Sequence, residues 1–119
     1  MWRYLLPFLV VSVLNACGGD VNSLASIKVY KYRGSVQCTG GGTSPAVMSL
    51  ELTNADISVS SFTCGLDGLA HPAVCGTSDG AINIFEIPGN RTEGALSLSF
   101  FLLSTLPTAV EVPCIENLP

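Results

Sequence analysis

An α+β domain in the order β-α-β-β-α-β follows from three observations on this sequence. Residues 26–33, 57–63 and 81–87 alternate apolar with polar side chains and are rich in β-branched and aromatic types, as half-buried strands require. Residues 46–55 and 91–104 repeat apolar side chains at helical spacing. Proline, glycine and Asp-Gly pairs punctuate the connections. Two strands for each helix give the split βαβ, or ferredoxin-like, arrangement, an antiparallel sheet with two helices on one face.

Each element has its own justification. The first strand places Ile27 and Val29 on one face and Lys28, Tyr30 and Tyr32 on the other. A glycine-rich loop over 39–44 leads to Ser44-Pro45, an N-cap followed by an N1 proline. The helix behind it turns Met48, Leu52 and Ala55, with Val47 and Leu50 beside them, toward the core. The strand over 57–63 ends at Cys64. Leu66-Asp67-Gly68 and Ser78-Asp79-Gly80 mark turns within 65–80, and the strand over 81–87 stops at Pro88-Gly89. A helix over 91–104 carries Ala95, Leu98 and Leu102 with Leu96, Phe100 and Leu103, and Pro107 separates it from a last strand over 109–112. This topology gathers Cys38, Cys64 and Cys75 at one end of the sheet and sets Cys114 at the other.

The first residues read as an export leader. Arg3 supplies one positive charge, and the apolar run from Tyr4 to Leu14 has the length of a signal-peptide core and falls short of the ~20 residues that span a bilayer. Leu14-Asn15-Ala16-Cys17 resembles the bacterial lipobox. That resemblance implies removal of residues 1–16 by signal peptidase II, lipid on the Cys17 thiol, and stable anchoring through several acyl chains. By the sorting pattern of the lipoproteins it resembles, Gly18 in place of Asp after the cysteine implies the outer membrane over the inner one. Residues 17–25 are small and polar and serve as a lipidated tether, leaving a single domain over 26–119.

Cysteine usage agrees with an oxidising compartment. Cys38, Cys64, Cys75 and Cys114 are even in number in a short exported chain, so two disulfides are expected. Three pairings are open; Cys64 with Cys75 closes the most local loop and leaves Cys38 with Cys114. A Cys3His site from Cys38, Cys64, His71 and Cys75 is the sharper alternative, but the spacing fits no familiar zinc pattern, so neither metal nor cofactor is expected. His71, set before Pro72, reads as a loop residue.

Composition narrows function further. Without the leader, Lys28, Lys31, Arg33 and Arg91 face nine carboxylates, a balance that argues against nucleic acid. Gly76-Thr77-Ser78-Asp79-Gly80 spells G-x-S-x-G, yet a strand follows it and the histidine precedes it, the reverse of a nucleophile elbow. Gly40-Gly41-Gly42 lacks the GK[ST] ending of a phosphate loop. An enzyme is not expected. The alternating face of Lys28, Tyr30 and Tyr32 is the candidate binding surface, left open if Ile27 and Val29 meet the helices.

Cys64-Gly65-Leu66-Asp67-Gly68, Val74-Cys75-Gly76 and Ile82-Asn83-Ile84-Phe85 resemble segments of small uncharacterised lipoproteins of proteobacteria, which implies an exported domain. The expected function is a lipid-anchored, non-catalytic envelope module that binds a protein partner, an envelope polymer or a small ligand through the sheet face. The alternative is an inhibitor of a secreted or envelope enzyme, acting through a disulfide-braced loop within 65–74.

Overall fold

The alternating segments over 26–33 and 81–87 become adjacent inner strands of one antiparallel sheet. The computed structural model describes residues 25–114; the expected leader over 1–16, Cys17 and the tether up to residue 24 lie outside them. The elements are β1 (Ser26–Tyr32), α1 (Pro45–Thr53), β2 (Ser61–Leu66), β3 (Ala81–Pro88), α2 (Thr92–Ser97), β4 (Phe101–Leu102) and β5 (Val110–Val112). The sheet runs β4-β1-β3-β2-β5 with every neighbouring pair antiparallel. No helix among the described residues is long and apolar enough to cross a membrane.

Alternation along the central strands feeds two apolar layers. On one face Val29, Phe85 and Ile87 are fully buried against Met48 and Leu52 of α1, Ala95 of α2, Ile57 and Phe100. Phe100 meets Phe85 edge-on at 5.5 Å between ring centres. On the other face Tyr30, Ile82 and Ile84 form a smaller cluster under Leu103, Leu106 and Ala109. The chain between β4 and β5 therefore crosses the face that the sequence leaves open, passing from one edge of the sheet to the other.

Several expected boundaries move, for identifiable reasons. The side chain of Ser44 caps α1 as expected, accepting from the Val47 amide at 3.3 Å, but the helix stops at Thr53. Asp56 takes a left-handed conformation (φ 62°), its amide donates to the Thr53 carbonyl, and the Ile57 amide donates to Leu52. This closing turn drops Ile57 into the core as a plug, so β2 starts only at Ser61 and runs on through Cys64 to Leu66. Val47, Leu50 and Ala55 are exposed rather than core residues.

The second helix is cut short by the same device. Ser99 (φ 72°) donates to the Leu96 carbonyl and Phe100 to Ala95, which ends α2 at Ser97. Phe101 and Leu102 then fill the place beside β1 expected for the last strand, and the chain is left long enough to cross to the far edge. There Val110–Val112 pairs with β2, Val112 opposite Cys64. The sheet thus has five strands in place of the expected four.

Candidate functional site

The three residues of the expected binding face have different surroundings. Tyr30 is only 8% exposed and belongs to the second apolar cluster, so it offers a partner little area. Lys28 is half exposed, and its ammonium donates to the Glu111 carboxylate at 2.7 Å. The Tyr32 ring is exposed, while its hydroxyl is committed to Asp67. The segment over 103–109 thus removes the middle of the face as a contact surface.

The opposite end of β1 is more organised than the sequence suggests. Two long loops, over 33–44 and 67–80, meet there. Gln37 donates to the Thr77 carbonyl at 2.8 Å, Val36 bridges to Ser78, and Cys38 bonds to Cys75 with 5.1 Å between their Cα atoms. Cys64 bonds to Cys114, 5.0 Å apart at Cα, which locks β5 onto β2. These bridges replace the Cys64–Cys75 and Cys38–Cys114 pairing that sequence locality favours. The reason is topological: β5 lies on the edge next to β2, and this brings Cys114 to Cys64. With all four cysteines in bridges, none is left for the Cys3His arrangement.

Asp67 is the hub of this end. It is 1% exposed, and the Asp-Gly turn folds its carboxylate back onto the Leu69 amide at 3.0 Å. The Tyr32 hydroxyl donates to Oδ2 at 2.8 Å, and Nε2 of His71 lies 2.8 Å from Oδ2 and 3.0 Å from Oδ1. Its backbone carbonyl accepts from the Thr108 hydroxyl at 2.6 Å, which pins the crossing segment. Burial alone would push this carboxyl up, but the three donors outweigh it and hold the group below the usual carboxylate range. Burial, followed by the bond to Asp67, pushes the Tyr32 phenol up to about 12.

A loop over 66–75 is therefore fixed at its start by the Cys64–Cys114 bridge, in its first turn by Asp67, and at its end by the Cys38–Cys75 bridge. It nevertheless displays Leu69 at 50% and Val74 at 56% exposure. His71 sits in this loop facing Asp67. Ser78 is a turn residue whose hydroxyl accepts from the Gly80 amide at 3.2 Å. By its neighbours in the sequence Asp67 is a turn former only. The one signal of its larger role was the spacing Asp67-x-x-x-His71, which lets one turn bring the imidazole back onto the carboxylate.

A groove of about 430 Å³ opens beside the same loops on the helix side of the sheet, with Arg33, Gly41, Leu66, Asp79 and Val112 among its walls. A second hollow of about 410 Å³ adjoins it at the start of α1 and shares Arg33 and Gly41 with it.

Fold and site together define a disulfide-braced α+β domain with one preorganised loop end. No protein-family model, curated protein or solved structure matches the chain.

Proposed function

We propose that this chain is a lipid-anchored protein of a bacterial envelope, held by acyl chains on Cys17, and that its domain is a non-catalytic interaction module. On this reading β1-α1-β2-β3-α2-β4 is a ferredoxin-like unit to which β5 is an edge addition; the order β4-β1-β3-β2 and the antiparallel pairs support it. The two disulfides accord with export to an oxidising compartment. Sorting to the outer membrane rests on Gly18 alone.

The observation that carries the interaction reading is the loop over 66–75, immobilised at three points while two large apolar side chains face solvent. A loop ordered before binding pays little of the ordering cost that weakens flexible contacts. β1 leads away from the tether, so this loop lies about 20 Å from the point where the anchor joins the domain. The inhibitor reading uses the same loop as a rigid plug in an enzyme's cleft.

Two experiments test the proposal. Cys17→Ser should shift the protein out of the detergent-extracted membrane fraction and abolish the mass increment of lipid; unchanged association without such an increment refutes the anchor. Cross-linking of the lipidated wild type in its own envelope should capture a partner that Leu69→Ser/Val74→Ser loses, whereas Lys28→Ala retains it. Equal capture by the loop variant moves the contact elsewhere, and a captured hydrolase inhibited by the wild type selects the inhibitor reading.

A further inference from the structure

The described residues contain the cations Lys28, Lys31, Arg33 and Arg91, and three of them are committed. Lys28 pairs with Glu111, and Lys31 pairs with Glu51 while resting 4.9 Å from the centre of the Phe100 ring. The Arg91 guanidinium donates to the Ala55 and Asp56 carbonyls. Arg33 alone has a side chain with no hydrogen bond or ion pair among the described residues, and it lines both hollows beside the braced loops.

Alternation shows what surrounds it. Ala81, Cys64 and Leu66 share the helix-side face, Leu66 lies opposite Val110, and Val112 of β5 closes the apolar floor. β5 is the last strand in the sheet, so its outer backbone edge has no strand partner among the described residues. The groove runs across the strand ends from Arg33, just beyond β1, past Ala81 and Leu66 to Val112, so an extended segment in it crosses the sheet and reaches the β5 edge only at one end. Gly41, at φ 87°, leaves the wall as bare backbone, with nothing within 4 Å of the place a Cβ would occupy.

We propose that this groove binds an extended peptide segment of a partner protein, with a carboxylate on Arg33 and an aliphatic side chain on Leu66 and Val112. Charge complementarity selects the occupant: a guanidinium presents a planar fork of donors matched to a carboxylate, and among the described residues it is the one Lys or Arg left uncommitted, in a chain of net charge −4. Asp79 shares the groove. Its Oδ1 already accepts from the Ser35 hydroxyl at 2.8 Å and the Ala81 amide at 3.0 Å, and its charge disfavours a second carboxylate. The segment therefore carries a single carboxylate with neutral groups toward Asp79. This site shares only Leu66 with the start of the loop over 66–75, uses neither Leu69 nor Val74, and does not depend on the role proposed for them.

The test is an NMR titration of the full-length, isotope-labelled protein in detergent micelles with acetyl-Ala-Val-Ala bearing a free C-terminal carboxylate, and with its C-terminal amide. The acid should shift the Gly41, Leu66 and Val112 amides to saturation. The amide should bind about tenfold more weakly, as should the acid to Arg33→Gln, with partial recovery in Arg33→Lys. Leu69→Ser/Val74→Ser should bind the acid as the wild type does, which keeps failure of the groove distinct from failure of the loop. Equal binding of acid and amide, shifts confined to other residues, or no saturable shift overturns the proposal. If Arg33→Gln does not fold, the acid and amide comparison on the wild type still decides.

Discussion

The Tyr32 hydroxyl lies 2.8 Å from Oδ2 of Asp67 and joins the end of a central strand to the loop that follows β2. Because the carboxylate is 1% exposed, each donor it loses leaves an acceptor that water cannot readily reach. Tyr32→Phe should therefore destabilise the oxidised protein by about 1–2 kcal/mol, and Asp67→Asn by about 2–3 kcal/mol, since an amide cannot accept from all three donors. Denaturant midpoints measure both. A silent Tyr32→Phe would show that the bond contributes nothing to holding the loop.

The same pair sets the pH range of stability. The Asp67 carboxyl is held below its unfolded value, so its contribution is present above about pH 4 and is lost as pH falls through the folded-state value. Tyr32 acts in the opposite direction. Its phenol is raised to about 12, so its contribution is present below about pH 10 and is lost as pH rises from there toward 12. Lys28, raised chiefly by its hydrogen bond to Glu111, adds to the alkaline loss. Ultraviolet titration of tyrosinate should show a phenol ionising near pH 12 that Tyr32→Phe removes; an ordinary value for the phenol that Tyr32→Phe removes would mean that Tyr32 has neither the burial nor the bond to Asp67 described above.

What was legible in the sequence and what was not divide along physical lines. Strong alternation gave β1 and β3 almost to the residue, and Ser44-Pro45 gave the start of α1. Both helix ends were missed because the left-handed closing residue is Asp56 in one and Ser99 in the other, where glycine is the usual signal. The second miss propagated: a helix carried to residue 104 hides β4, sends the last strand to the wrong edge, and with it misplaces Cys114. The braced loop is legible only as an alternative and through a different cysteine pairing, and Arg33 is legible only as one cation in the charge balance, because its freedom depends on where Lys28, Lys31 and Arg91 find partners.

Those unusual helix ends can be tested directly. A non-glycine residue in the left-handed region costs roughly 1–2 kcal/mol, partly offset by the entropy that glycine adds to the unfolded chain. Ser99→Gly should therefore stabilise by about 0.5–1 kcal/mol. Asp56→Gly should gain less, because aspartate tolerates this conformation better than most residues. Thermal unfolding of the two variants decides; destabilisation by Ser99→Gly would mean its side chain supports the turn in some other way.

Removing the bridges one at a time should separate the two loop supports. The bridges close sequence separations of 37 and 50 residues, so in chain-entropy terms each contributes about 4 kcal/mol and the two differ little. Their local effects should differ much more. Cys38 and Cys75 are exposed and join loops, so Cys38→Ser/Cys75→Ser should speed amide exchange over 36–41 and 70–79 while β1 and β3 remain protected. Cys64 is 6% exposed beneath β5, so Cys64→Ser/Cys114→Ser also buries a hydroxyl and frees β5. Exchange should then rise across 103–112 as well, and the cover over Tyr30, Ile82 and Ile84 should loosen. Hydrogen exchange read residue by residue makes the comparison. Equal, global loss of protection in both double variants would mean that the braced loops and the crossing segment unfold only with the whole domain, and that no part of the loop end is separately ordered for binding.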